Sequence, residues 1–190
     1  MLVLEYIEFF PHNHEFCLRI MDVVRKAKID EAQAIIDLHA DTIRRVNSKD
    51  YTPTQIESWI GKPNLEFYKS AIRDGEFYVY VTENGSILGE GHLNKNAIFG
   101  LYVSADHLGK GIGSAILERM EDDAVNAGFT ELRTTSTITA LGFWRSKGYE
   151  ELEHIKFGKA ELHAVKMRKN IRKTSQARRS EQLAAAHPRR

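Results

Sequence analysis

The stretch from Ala97 to Asn126 constrains this chain more than any other. An apolar strand, a turn with glycine at 109, 111 and 113, and an amphipathic helix follow one another without a break. Ala97 to Val103 reads as the strand, and Ser104-Ala105-Asp106-His107-Leu108-Gly109-Lys110-Gly111-Ile112-Gly113 as its exit. The helix places Ile112, Ala115, Ile116, Met120 and Ala124 on one face and Glu118, Arg119, Glu121, Asp122 and Asp123 on the other; Gly128 ends it. Glycine admits backbone conformations that other residues resist and clears side chains from the approach path. The first N–H groups of a helix lack internal partners, and the helix dipole adds partial positive charge there. The result is a cradle for an anion such as a pyrophosphate, with Lys110 and the Ser114 hydroxyl in reach. A glycine-rich turn also serves as a plain connector, and both readings stand at this point.

The surrounding pattern decides which phosphate fold is excluded. Residues 22–27 read as a short strand, with Asp30 as a cap for a helix carrying Ala32, Ile35, Ile36, Leu38, His39, Ile43 and Val46. Pro53 breaks that helix, Thr52 or Thr54 starts another through Trp59 and Ile60, and a third runs from about Asn64 to Arg73. Three strands then form an antiparallel meander: 76–82, 87–93 and 97–103, the first two joined at Asn84-Gly85. After the glycine turn and its helix come a strand at 132–135, a short helix at 141–147 and strands at 149–157 and 161–167. This order predicts a mixed α/β sheet, mostly antiparallel, of six or seven strands with helices on both faces. A dinucleotide fold would instead repeat parallel strand–helix units, and a Walker loop needs Gly-Lys followed by Ser or Thr.

The chain has 190 residues, a net charge of +1 and one cysteine, Cys17. These values predict one folded unit over residues 21–169, an extension over 1–20 and a basic flexible tail over 170–190. Near-neutral charge gives no general pull toward nucleic acid, and the cations of the tail lack interleaved aromatics. A lone cysteine excludes an internal disulfide and fits a reducing, cytoplasmic setting. No apolar run approaches the roughly 20 residues of a membrane span. The apolar start carries Glu5 and Glu8 and lacks the basic leader of a secretory signal. His12, His14 and His39 lack metal-ligand spacing, so no metal is expected.

Leu101-Tyr102-Val103 followed by Gly109-Lys110-Gly111-Ile112-Gly113 resembles the acetyl-CoA-binding motif of the GCN5-related N-acetyltransferases. Phe143-Trp144-Arg145-Ser146-Lys147-Gly148-Tyr149 is similar to that family's aromatic helix and following strand. Arg25-Lys26-Ala27 with Asp30, and Tyr51-Thr52-Pro53 through Trp59, look like the opening of a bacterial branch. The resemblance implies an acyl-CoA N-acyltransferase fold whose sheet splays between strands 97–103 and 132–135 to admit acetyl-CoA. It implies that the main chain of Leu101 and Val103 pairs with the pantetheine arm, that amides from Gly109 to Ser114 hold the pyrophosphate, and that Tyr102 and Leu108 stand among the cofactor-binding residues. Thr137, Phe143 and Trp144 complete the expected cofactor contacts. The implied acceptor is a primary amine on a small molecule or a protein, and a homodimer is a recurrent assembly of such proteins. Three positions depart from the family. Leu108 stands where Gln or Arg is usual, and Trp144 where many members carry a tyrosine that protonates the departing thiolate. Thr137 likewise replaces a frequent Asn.

Transfer to an amine requires its neutral form, and a lysine-like amine with a pKa near ~10.4 is almost wholly protonated at neutral pH. A base is therefore useful. The strand before the glycine turn offers none over Ala97–Gly100. His92 and Glu90, two apart on the adjacent strand, project from one face and become the candidates. Tyr149 and Ser146 are the candidate acids, a backbone N–H near Val103 is the candidate oxyanion donor, and Tyr51 and Trp59 are candidates for an acceptor pocket. Each of these side chains also has an ordinary role in packing or strand pairing. Direct attack on the thioester by the amine is the expected route. A catalytically silent acyl-CoA sensor is the alternative, because indole at Trp144 cannot act as an acid.

Overall fold

The computed structural model describes residues 22–171. The expected extension over 1–20, with His12, His14 and Cys17, lies outside them, as does the basic tail beyond Ile171. Seven strands form one sheet in the order β1-β2-β3-β4-β5-β7-β6. They are β1 Val23–Lys26, β2 Phe77–Val81, β3 Ile87–Asn94, β4 Ala97–Val103, β5 Glu131–Thr137, β6 Glu150–Phe157 and β7 Leu162–Asn170. Helices α1 Ala32–Val46, α2 Pro53–Ile60 and α3 Leu65–Arg73 precede β2; α4 Ile112–Asn126 links β4 to β5, and α5 Leu141–Ser146 follows β5. The folded unit extends slightly past the expected boundary: Asn170 is still in β7, and Ile171 is buried, its N–H donating to the Thr130 carbonyl at 2.8 Å.

Local chemistry accounts for the helix ends, with one correction. Thr52 accepts from the Gln55 N–H while the Gln55 side chain accepts from the Thr52 N–H, a capping box with Pro53 at the first helical position. Asn64 caps α3 through the N–H groups of Glu66 and Phe67. Asp30, expected to cap α1, lies instead in a short 3-10 turn over Ile29–Glu31. Glu31 takes the polar role: it accepts from the Lys28 N–H at 2.7 Å and from both terminal nitrogens of Arg25 at 2.9 and 2.5 Å. A carboxylate held by a guanidinium fork outcompetes a lone Asp for the helix entry.

The two faces of the sheet separate along β3. Gly89 and Gly91 face α4: a Cβ at Gly91 would lie 2.7 Å from Ile116 Cγ2 and 2.9 Å from Met120 Sδ. Small residues on β3 thus let α4 settle on the sheet, burying Ile112, Ile116, Leu117, Met120 and Ala124. Glu90 and His92 alternate with these glycines and face α1 and α3. On that side Ile35, Ala71, Ile72, Phe77 and Val79 form a second core.

The sheet is continuous except between β4 and β5. These parallel strands pair only at Ala97↔Arg133 and Ile98↔Thr134. Thr134 Oγ1 donates to the Ile98 carbonyl at 3.0 Å and closes the vertex. Immediately beyond it the β3–β4 register slips, leaving Phe99 as the extra residue between the pairs Leu93↔Ile98 and His92↔Gly100. A bulge bends its strand and raises its twist. Here it coincides with the point where β4 departs from β5. The β5 partner on its other side is β7, paired along the whole strand from Glu131↔Asn170 to Thr137↔Ala164. One side of β5 is therefore fixed while the other opens.

Gly91→Ala is expected to cost about 1–3 kcal/mol, because Ile116 and Met120 have no room to retreat from the added methyl. Urea unfolding measures this; an unchanged midpoint would show that α4 does not sit on β3 as described.

Candidate functional site

The opening between β4 and β5 continues into a cleft of about 710 Å³. Leu101, Tyr102, Val103, Leu108, Gly109, Gly111, Ile112, Gly113, Ser114, Thr137, Phe143 and Trp144 all line it. Lys110, expected with them, is exposed and does not line the cleft. Along β4 the side chains alternate. Val103 points toward Gly113 and α4, whereas Tyr102 stacks on His39 of α1 at 3.9 Å between ring centroids. The cleft therefore passes through the sheet, with an α4 mouth and an α1–α2 mouth.

The α4 mouth has the backbone geometry expected of an anion cradle. Gly109 and Gly111 hold φ of 74° and 85°, and an added Cβ at either would project into open space. Both conformations strain any residue with a side chain. None of the N–H groups of residues 109–114 has an acceptor among the described residues. The preceding 3-10 turn, Ala105–His107, is anchored to α1 by Arg45, whose terminal nitrogens reach the Asp106 carboxylate at 3.0 and 2.5 Å. Leu108 is half exposed and supplies no polar contact, so the cradle is made of backbone alone at that position.

The α1–α2 mouth was less legible. Thr42 and Val46 from the end of α1, Asn47 and Lys49 from the 3-10 turn that follows it, Trp59 from α2, and Ile155 and Phe157 from β6 line it. Three bonds tie the α1–α2 connection to the β5–α5 loop: Thr139 Oγ1 to Asp50 at 2.6 Å, Asn47 Nδ2 to Thr137 Oγ1 at 3.4 Å, and the Ile138 N–H to Tyr51 Oη at 3.0 Å. Helical spacing puts Thr42, Val46 and Lys49 on one stripe, but what that stripe faces depends on β4 and β6. Of the two residues expected at an acceptor pocket, Trp59 lines the cleft and Tyr51 does not. Tyr51 is buried, donates to the His163 carbonyl at 2.6 Å, and supports Trp59 from below at 5.9 Å. Its hydroxyl is consumed in joining α2, β7 and the β5–α5 loop.

The candidate acid Tyr149 stands elsewhere. Its hydroxyl donates to Glu121 of α4 at 3.2 Å, its ring abuts Trp144 at 4.8 Å, and it does not line the cleft. Burial, with Glu121 beside it, pushes its pKa well above the usual phenol value. Ser146 donates to the Phe143 carbonyl at 2.6 Å. Neither residue is placed to protonate a thiolate in the cleft.

Glu90 and His92 share the α1 face but sit in different surroundings. His92 stacks on Phe77 at 4.3 Å, meets Glu76 Oε2 through Nε2 at 3.0 Å, and lies 5.2 Å from the ring of Phe99 at the cleft. Glu90 is 1% exposed; its Oε2 has no hydrogen-bond partner, and its Oε1 lies 3.5 Å from His39 Nδ1. His39, expected simply to pack on its helix, also meets the Tyr68 hydroxyl at 3.1 Å through Nδ1. Burial pushes the Glu90 carboxyl up to about 8 and, with His92 nearby, the His39 imidazole down to about 4. Both shifts favour the uncharged forms across the 3.5 Å contact. Desolvation outweighs the attraction the pair would gain by charging. Among the described residues, no three His, Cys, Asp or Glu side chains come together to hold a metal ion.

The two shifts act on stability in opposite senses. The raised Glu90 value stabilises the fold at acidic pH and loses that contribution as pH rises toward about 8. The lowered His39 value contributes above its ordinary range and fades as pH falls toward about 4. Relative to a Glu90→Gln variant, the native chain is expected to lose stability as pH rises from about 5 to about 8, by at most about 1.4 kcal/mol per pH unit. Parallel urea titrations across that range check it, and parallel curves for the two proteins would contradict it.

Comparison with known proteins agrees with this geometry. The family model for an acetyltransferase (GNAT) domain matches residues 47–171. No curated protein matches the chain by sequence. Among solved structures, a GCN5-related N-acetyltransferase from Rhodopseudomonas palustris is 21% identical, with a TM-score of 0.72 over 83% of this chain and 100% of that one. The PaiA N-acetyltransferase of Thermoplasma acidophilum, solved with coenzyme A, is 19% identical, with a TM-score of 0.66 over 80% and 99%. YncA of Salmonella typhimurium, a putative acetyltransferase solved with acetyl-CoA, is 16% identical, with a TM-score of 0.61 over 81% and 96%. With the family model spanning most of the chain, and the fold and split sheet in agreement, the chain belongs to the GNAT acetyltransferase family.

Proposed function

We propose that this protein transfers an acetyl group from acetyl-CoA to a primary amine. The observation that carries this reading is the continuity of the cleft: one opening joins the backbone anion cradle of α4 to the unpaired edge of β4. Residues 109–114 fit a pyrophosphate by charge and by the absence of side chains. The β4 edge beyond Ile98 lacks a strand partner toward β5, and the amides of a pantetheine arm pair with such an edge as an added strand would. Leu101 and Val103 supply that backbone, and Thr137, Phe143 and Trp144 close the channel around it.

The amine enters from the α1–α2 mouth and attacks the thioester carbonyl directly. The new C–N bond forms, the C–S bond breaks, the amine loses one proton and the thiolate gains one. A backbone N–H near Val103 is the donor assigned to the oxyanion. His92, oriented by Glu76, is the assigned proton acceptor, working through water across the gap beside Phe99. Glu90 backs the same face, sealed beneath Tyr102 and His39. No acid is assigned for the thiolate: a thiol with a pKa near ~8.5 leaves readily and takes its proton from solvent. This removes the need for the hydroxyl that Trp144 lacks. A silent acyl-CoA sensor is the second reading, favoured by that same missing hydroxyl. A reducing cytoplasm suits the low cysteine content.

Calorimetry with acetyl-CoA and thiol release across an amine panel test the reading together. Binding without release for any amine would leave the sensor. Gly111→Val is expected to weaken coenzyme A binding by about tenfold or more, since its side chain would occupy the cradle; native affinity would count against the site. His92→Ala is expected to lower kcat by about 10²-fold with little change in coenzyme affinity, and an unchanged kcat would remove His92 from the mechanism.

A further inference from the structure

Resting on the transferase reading above, we infer that the acceptor is an amine built on an aromatic or branched apolar body, carrying one anionic group and no second cation. The chemistry of the α1–α2 mouth gives the class. Its walls are largely apolar and aromatic: Trp59 stands edge-on to Phe157 at 6.4 Å between centroids, with Val46, Ile155 and the exposed Phe99 around them. Thr42 and Asn47 share the lining, but they already donate to the Val103 carbonyl and to Thr137. Such walls reward apolar area more than a long hydrophilic chain.

Charge excludes the other large class of amines. A polyamine or a multiply charged sugar amine needs carboxylates to replace the water around each ammonium group. No Asp or Glu lines the cleft, nor the smaller cavity of about 140 Å³ beside Trp59. Among the acids around the mouth, Glu57 is held by Arg44 at 2.9 and 3.1 Å and Asp106 is held by Arg45. Asp50 accepts from the Thr139 hydroxyl and does not line the cleft. Glu76 serves His92 and Asn94. Glu90 is sealed from both cavities, and its burial favours the uncharged form.

Lys49 is the converse case. It lines the cleft as an exposed side chain, and among the described residues its ammonium group has no carboxylate or hydrogen-bond partner. It sits on the 3-10 turn Asn47–Lys49, which the Asn47–Thr137 and Asp50–Thr139 bonds tie to the β5–α5 loop. An anionic group on the acceptor would pair with this ammonium group at the rim of the cleft. An α-amino acid with a large apolar side chain, or a compound of the same design, meets all three requirements.

Acetyl transfer to phenylalanine, phenethylamine and spermidine separates the alternatives. Phenylalanine is expected to be favoured over phenethylamine by about tenfold in kcat/KM, the usual worth of one charge-assisted contact, with spermidine below both. In Lys49→Gln the ratio of the first two is expected to fall to about one. A preference for spermidine would overturn this acceptor class while leaving the transferase reading intact. An unchanged ratio in Lys49→Gln, or a loss of coenzyme A affinity in that variant, would also overturn it, the latter by placing Lys49 on the cofactor. Transfer to none of the three overturns the class; the calorimetry and wider panel above then decide the transferase reading separately.

Discussion

Two residue pairs between β4 and β5 hold the sheet together where it is about to come apart. Ala97↔Arg133 and Ile98↔Thr134, with the Thr134 hydroxyl on the Ile98 carbonyl, close a vertex; the bulge at Phe99 opens everything beyond it. Splitting a sheet exposes a row of backbone donors and acceptors, normally a liability that proteins cover. Here the row lies inside the molecule, roofed by the α1–α2 connection and the β5–α5 loop, and it leads to a helix N-terminus with unpaired amides. The cradle, the channel and the far mouth are consequences of that one divergence.

The two faces of the sheet divide the labour. On the α4 side, glycines at 89 and 91 allow the helix to approach closely, which fixes where its N-terminus points. On the α1 side the same strand carries Glu90 and His92, and the period of two that sends glycine one way sends the titratable groups the other. Tyr102 then forms the partition: one side of its ring meets His39, and it also lines the cleft. Burial favours the uncharged forms of Glu90 and His39 behind it. The proposed preference for an apolar, anionic acceptor rests on the lining of the mouth and on Lys49 at its opening.

Much of this was readable from local pattern. The strand, glycine turn and helix from Ala97 to Asn126 need only nearest-neighbour rules, and the antiparallel meander before them excluded a dinucleotide fold. Where reading failed, a distant partner was responsible. Asp30 has the composition of a cap, but Glu31 wins because Arg25, on a strand, comes within reach. Tyr51 looks like a pocket aromatic, but its hydroxyl is claimed by Ile138 and His163, far along the chain. Tyr149 follows the aromatic helix in sequence, yet it turns under the sheet to Glu121. His39 looked like packing because its neighbours Glu90, Tyr68 and Tyr102 come from three other elements.

The sequence by itself determined the order of elements, the glycine cradle and the family, because helix and strand periods and positive-φ turns depend on residues a few positions apart. Only the tertiary structure decided which side chains reach the cleft, which carboxylates are already paired and which groups burial shifts toward the uncharged form. Those properties depend on what lies across the sheet, and desolvation and pairing are set by neighbours in space that no spacing along the chain reveals.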